Sequence, residues 1–160
     1  MKEQLRNRVQ LAIIAVLAVA IAAMAYKFIV AGSVEPSADG RTAIVLEAGE
    51  RDFVLAEMRG FVSGLQQITA ALARDDMKAV AAAARRLGMG AAHSAPVALV
   101  GKLPLAFKTL AFSVHRDFDA IALDADSLGD AKHSLGQLAD TLGKCAACHS
   151  DYRFKLTAER

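Results

Sequence analysis

The chain has 160 residues, which is enough for one domain with an additional segment. Apolar residues make up 54% of it and aromatic residues only 6%, with no tryptophan, and the abundance of alanine favours helices. The formal net charge is only +2, so the sequence lacks the basic face of a nucleic-acid-binding protein, and we expect no nucleic-acid partner.

The N-terminal segment, residues 1–31, is short and basic at first and then strongly apolar. An unbroken apolar run extends from Leu11 to Tyr26, and it resumes after Lys27. Two interpretations fit: a signal peptide cleaved near Ala23-Met24-Ala25, or an uncleaved membrane anchor in which Lys27 extends its amine to the interface. Both leave the basic N-terminus in the cytoplasm and export the rest, and we favour the anchor.

Residues 32–46 contain Gly, Ser and Pro between the apolar segment and the first helical pattern, so we expect a polar linker there. Residues 47–160 show the periodicity of four amphipathic helices and no convincing strand. In the first helix, at about 47–73, apolar residues recur three and four apart. The second helix has a stripe of small residues, and we expect Asp75 to be its N-cap.

Two longer helices are predicted in the second half of the chain. Pro104 suits the first turn of the third helix, and the fourth is expected to be capped by Asp124, Asp126 or Ser127. The apolar positions of the fourth helix are Leu128, Ala131, Leu135, Leu138, Leu142, Cys145, His149 and Tyr152. The pattern predicts an all-α fold, an antiparallel up-down-up-down four-helix bundle preceded by the N-terminal apolar helix.

The most specific motif is Cys145-Ala146-Ala147-Cys148-His149. Cys-x-x-Cys-His is typical of covalent haem c attachment, in which two thiols add to the two vinyl groups of one porphyrin and the imidazole binds iron. On a helix these three side chains share a face. A zinc site would need more ligands at short spacing, a thioredoxin-like motif a βαβ unit, and a disulfide within one turn would be strained. We therefore predict one covalent haem c with His149 as the proximal ligand.

The motif, followed by Tyr152-Arg153 near the end of a four-helix chain, resembles the class II c-type cytochromes, which are cytochrome c′ and its low-spin relatives. The resemblance covers residues 47–158. It implies a periplasmic monohaem protein with Arg153 near the haem edge, and it leaves open a homodimer. The family usually carries an arginine four residues before its distal position, whereas this chain has Val54 there.

Met58 is the candidate residue for the opposite side of the iron. In an up-down-up-down bundle the end of the fourth helix lies beside the start of the first, which puts Met58 level with His149, and the family places its distal residue there. Met58 either ligates the iron through its thioether or packs over the haem, with His93 and Met89 as the weaker alternatives. Two other histidines are expected at the surface: His115 and His133.

Three functions fit this pattern. We favour a one-electron carrier that faces the periplasm, is tethered to the inner membrane and meets redox partner proteins. The alternatives are a five-coordinate gas-binding protein of the c′ type and a haem subunit docked on a membrane redox complex. No nucleophile–base pair or second metal site argues for an enzyme.

Overall fold

The structure is a computed structural model that describes residues 2–157. It is mostly α-helical, with an N-terminal apolar helix and a small three-stranded sheet, so the predicted helical class is confirmed. The elements are α1 (Lys2–Ala25), a π-helical segment (Tyr26–Ala31), β1 (Val34–Pro36), β2 (Thr42–Leu46), α2 (Ala48–Leu72), α3 (Met77–Arg85), α4 (Met89–Ala92), α5 (Val97–Lys102), α6 (Leu105–Ser127), α7 (Ala131–Asp151) and β3 (Tyr152–Leu156).

Together, α1 and the π-helical segment form one apolar helix of 30 residues, Lys2–Ala31, whose most apolar stretch is entirely unburied. By length and composition this helix can cross a membrane. A signal sequence near an N-terminus meets the same criterion, so the helix fits both interpretations of residues 1–31.

The first three helices predicted after residue 46 correspond to α2, α3 and α6, and each begins close to its predicted start. The short helices α4 and α5 were not predicted. Asp76, not Asp75, is the N-cap of α3, and its side chain accepts a hydrogen bond of 3.0 Å from the backbone N–H of Ala79. Asp75 has a left-handed backbone with φ of 54°, which an N-cap does not adopt. Pro104 directly precedes α6, as its fixed φ favours.

The start of the last helix was predicted wrongly. All three expected caps lie within α6: Asp124, Asp126 and Ser127. The true N-cap of α7 is Asp130, whose Oδ1 accepts hydrogen bonds from the backbone N–H groups of Lys132 (2.9 Å) and His133 (3.0 Å). The buried Ala125 continues the apolar face of α6, so this helix runs on to Ser127, and Gly129 then turns the chain with φ of 64°.

The buried face of α7 is rotated relative to the predicted one. Its buried residues are Ser134, Leu138 and Thr141. Leu135 and Leu142 are instead 54% and 43% exposed. The hydroxyl of Thr141 donates to a backbone carbonyl one turn earlier, which lets this polar residue be buried. Continuing along the buried face by three and four residues leads to Cys145 and Cys148, which are both half-buried.

The larger of two core clusters is built by α2, α3, α6 and α7, and we call it the α3 cluster. Its members are Ile68, Ala71, Val80, Ala81, Ala83, Ala84, Leu87, Val114, Phe118, Ile121, Ala122, Ala125 and Leu138. Alanine supplies most of the α3 contribution, so this short helix packs closely against α2 and α6. The rings of Phe61 on α2 and Phe118 on α6 stack at 5.7 Å between centroids.

The sheet was not predicted. β1 pairs antiparallel with β2, and β2 pairs parallel with β3, in a register that sets Thr42 beside Tyr152 and Leu46 beside Leu156. The expectation that the chain has no strand is therefore wrong, and residues 32–46, which we predicted as a linker, contain both β1 and β2. The partner strand β3 lies more than a hundred residues away, so local sequence carries little trace of the pairing.

The second core cluster lies under the sheet, and we call it the sheet cluster. Its buried members are Ile44, Leu46, Val54, Leu99 and Phe107. Two half-buried aromatic residues of β3 pack against Phe107. The ring centroid of Tyr152 lies 5.2 Å from that of Phe107, and the ring centroid of Phe154 lies 6.2 Å from it. The strands therefore fasten the end of α7 to the start of α2 through an apolar layer.

The contribution of β2 can be tested with Ile44→Ala. Because Ile44 is fully buried, we expect the substitution to lower the free energy of unfolding by about 2–5 kcal/mol. The matched control is Leu123→Ala on α6, where the side chain is 65% exposed and the cost should stay within about 0.5 kcal/mol. Denaturant unfolding measures both, and equal effects would contradict a folded role for residues 42–46.

Candidate functional site

A large apolar cleft is lined by residues of α2, α5, α6 and α7. It contains about 1170 Å³ of space free of protein atoms, including its open mouth. Phe61 and Leu65 of α2, Leu99 of α5, and Phe107 and Ala111 of α6 are among its apolar walls. Since α2 and α7 make few direct contacts with each other, the cleft separates them.

Four predicted site residues line this one cleft. Cys145, Cys148 and His149 lie on the last two turns of α7, and Met58 lies on α2. The motif is helical, as its spacing predicted, so its three side chains share a face. An ion pair between Lys144 Nζ and Asp117 Oδ2, 2.6 Å apart, joins α7 to α6 just before the motif.

Burial raises the pKa of both motif thiols. The pKa of Cys148 rises to about 11, through burial first and then through the charges of Cys145 and Asp151. The pKa of Cys145 rises mainly through burial. Both thiols are free in the structure. Redox-active cysteines have lowered pKa values, so this pair does not have the electrostatics of a dithiol redox centre.

His115 and Glu57 form a polar pair on the cleft wall. His115 is only 5% exposed, and its Nδ1 lies 2.7 Å from the carbonyl oxygen of Leu87, so Nδ1 carries the proton and donates it. Its Nε2 lies 3.6 Å from Oε1 of Glu57. The expectation that His115 is a surface residue is therefore wrong.

Sequence reasoning missed both members of this pair. Burial raises the pKa of Glu57, and the nearby His115 opposes part of the rise. Both residues also line a second open cavity beside the cleft. His115 follows Ala111 by four residues and precedes Phe118 by three, so its spacing along α6 was the available signal.

Lys108 is another charged residue that lines the cleft, and it was not predicted either. It is 9% exposed, and burial lowers the pKa of its amine. Its Nζ donates hydrogen bonds to the carbonyl oxygens of Phe28 (2.7 Å) and Ile29 (3.1 Å) in the π-helical segment. The cleft wall is thus joined directly to the end of the apolar helix.

The structure does not bring every candidate residue to the cleft. Arg153 lies in β3, where its Nη1 donates to Ser37 Oγ at 3.1 Å, and it is not among the cleft-lining residues. Two weaker candidates for the distal position, His93 and Met89, also lie outside the lining. His133 is exposed and lies 3.0 Å from a carboxylate oxygen of Asp124, as expected of a surface residue.

Among residues 2–157, no three His, Cys, Asp or Glu side chains come together as a group that could hold a metal ion by themselves. No protein-family model, curated protein or solved structure matches the chain. What the cleft can do therefore has to be argued from its own residues.

The substitution Glu57→Gln tests the burial of this carboxyl. Because its folded-state pKa lies above the ordinary value of 4.5, the stabilisation from neutral Glu57 is complete below that pH and is lost as the pH rises through the folded-state pKa. We therefore expect Glu57→Gln to be more stable than the wild type at pH 7, and the difference to disappear below pH 4.5.

Denaturant unfolding at neutral and acidic pH measures this difference. The control is Asp140→Asn, at an exposed position of α7, which should change the free energy of unfolding by no more than about 0.5 kcal/mol. A stability difference between Glu57→Gln and the wild type that is the same at both pH values would contradict the raised pKa.

Proposed function

We propose that this protein is a membrane-tethered, periplasm-facing c-type cytochrome with one covalent haem, acting in one-electron transfer. The observation that carries the proposal is that Cys145, Cys148 and His149 line the same apolar cleft as Met58. The spacing of the two thiols and the imidazole is that of covalent haem attachment. A methionine from another helix provides a second kind of iron ligand at the same cleft.

The residues present fit a haem. The cleft opens to solvent and contains about 1170 Å³ of space free of protein atoms when its mouth is included, which leaves room between α2 and α7 for a large flat cofactor. Its walls are mainly apolar, which suits a porphyrin ring. The donor set is also suitable, since thiols and an imidazole stand on one helix face and a thioether faces the cleft from α2.

Each residue has a separate task in this proposal. Cys145 and Cys148 form the thioether links, His149 is the proximal iron ligand, and Met58 is the distal ligand. A bound haem supplies the reversible one-electron chemistry of its iron. The chain excludes water with its apolar walls and leaves the mouth of the cleft open towards a redox partner.

The two functional alternatives differ in what Met58 and the N-terminal helix do. If Met58 only packs beside the haem, the iron has a free position, and the protein is a gas-binding protein of the c′ type. If the N-terminal helix mainly contacts other proteins, the chain is a haem subunit of a larger membrane redox complex. We favour the carrier, because a His/Met ligand pair raises the reduction potential and suits electron transfer.

We further propose that α2, α3, α6 and α7 correspond to the four helices of a class II cytochrome bundle. Their joint contribution to the α3 cluster supports this assignment. The parallel pairing of β2 with β3 supports it as well, because it brings the chain just after α7 next to the chain just before α2.

Retention of the N-terminal helix is part of the same proposal. The amine of Lys108 donates hydrogen bonds to the carbonyl groups of Phe28 and Ile29. The backbone N–H of Ser33 donates to the carbonyl of Lys102 at 2.7 Å. The apolar helix therefore runs into the folded domain without a free linker. This arrangement favours an anchor in the inner membrane, with the domain on the periplasmic side.

Haem attachment can be tested on protein purified from membranes of a host that assembles c-type haem. The intact mass should equal the full 160-residue chain plus one haem, and the haem should survive acid extraction. In the double variant Cys145→Ser, Cys148→Ser, we expect no covalent haem and a loss of stability at the cleft end. A wild-type protein with the bare polypeptide mass and no colour would overturn the proposed function.

Met58→Ala tests the distal ligand. We expect the ferric spectrum to change from low-spin to high-spin and the reduction potential to fall, because the thioether is lost. The matched control is Met77→Ala, since Met77 packs against the α3 cluster, away from the cleft, and the low-spin spectrum should persist. A low-spin spectrum that survives in Met58→Ala would remove Met58 as the ligand, whereas a high-spin wild type that binds carbon monoxide rapidly would support the gas-binding alternative.

A further inference from the structure

The end of the N-terminal apolar helix is packed against one particular part of the domain. Phe28 contacts Gly101 of α5, where an added Cβ atom would lie 3.2 Å from the Phe28 ring. Gly32, with φ of 66°, lies against the turn between α5 and α6, and a Cβ atom there would come within 2.6 Å of the Lys102 oxygen. Lys108 completes the contact from the first turns of α6.

Two large apolar side chains next to this junction are exposed. Val97, the first residue of α5, is 88% exposed, and Leu105, the first residue of α6, is 44% exposed. Val97 lies four residues before Gly101, and Leu105 lies three residues before Lys108, so each shares a helix face with a residue that contacts the N-terminal helix. We call Val97, Gly101, Leu105 and Lys108 the α5–α6 face.

We propose that the α5–α6 face rests on the lipid bilayer, beside the point where the N-terminal helix enters it. The proposal rests on the retained anchor of the proposed function. A span of about 20 residues that begins at Leu11 ends near Val30, so the junction with Gly101 and Lys108 lies at the membrane surface. Apolar side chains at that level are buried among the lipid headgroups and upper acyl chains.

The chemistry of the contact is apolar and not electrostatic. The three lysines at the junction already have partners. Lys102 Nζ lies 2.6 Å from Glu50 Oε2, Lys108 Nζ donates to two backbone carbonyl groups, and Lys27 Nζ donates to the carbonyl oxygen of Gly32. Each of these amines is therefore already engaged and is not available to an anionic headgroup. The face should therefore contact uncharged phosphatidylcholine as well as anionic lipid.

With the α5–α6 face on the bilayer, the cleft lies next to the membrane surface. Leu99 of α5, Leu103 before α6 and Phe107 of α6 all line the cleft, so the elements of the α5–α6 face also form a cleft wall. A cofactor in the cleft lies beside the membrane surface, close to where a membrane-embedded electron donor or acceptor would dock.

The chain contains no tryptophan, so single-tryptophan variants report on single positions. The full-length protein is placed in phosphatidylcholine nanodiscs made with ordinary or brominated acyl chains, and its fluorescence is compared. The reporters are Val97→Trp and Leu105→Trp. The matched control is Leu123→Trp, which is also exposed and lies about 27 Å from Leu105 along the same helix. Comparing the two lipids for each variant removes any constant quenching by haem.

We expect Val97→Trp and Leu105→Trp to lose about half of their fluorescence in brominated lipid, and Leu123→Trp to be unaffected. Equal quenching at all three positions, or none at Val97 and Leu105, would overturn the proposal. Recovery of a shortened chain from the membrane, measured by intact mass, would overturn it too. Absence of haem in the same samples would count against the proposed function alone, since lipid quenching needs no cofactor.

Discussion

The parallel pairing of β2 with β3 is the constraint on which the site depends. It joins the residues just after α7 to those just before α2, and it covers the sheet cluster. Because both helices are held at one end in this way, the last turns of α7 and the apolar face of α2 line the same cleft. The ion pair between Lys144 and Asp117 fixes the same part of α7 to α6. The position of the Cys-x-x-Cys-His motif is thus determined from two sides.

Regular helices and a local motif could be predicted from the sequence, because both are encoded by short-range spacing. α2 and α6 follow their periodicity, and the helical motif follows from Cys145, Cys148 and His149 themselves. The strands could not be predicted, since β2 has only five residues and needs a partner from the end of the chain. The N-cap at Asp130 was missed because Asp124, Asp126 and Ser127 offered the same side-chain chemistry a few residues earlier.

The polar residues of the cleft illustrate a second limit of sequence reasoning. The local sequence does not show what His115, Glu57 and Lys108 contact. Each of them has a polar partner in another element of the structure. His115 is buried because the carbonyl of Leu87 accepts a hydrogen bond from its Nδ1 and Glu57 lies opposite. Lys108 is buried because the π-helical segment offers two carbonyl groups to its amine. Buried polar groups are tolerated only when such partners are present, and partners distant in sequence cannot be read from spacing.

The division of the core into two clusters has a consequence for biogenesis. Of the buried residues of the α3 cluster, only Val114 lines the cleft. Three of the five buried residues of the sheet cluster, by contrast, line the cleft: Val54, Leu99 and Phe107. Under the proposed function, the part of the domain around the α3 cluster can therefore pack before the haem is attached, while the cleft stays accessible to the machinery that attaches it. Maturation of such a cytochrome would end with a structural event, since the haem would be the last part of the interior to arrive.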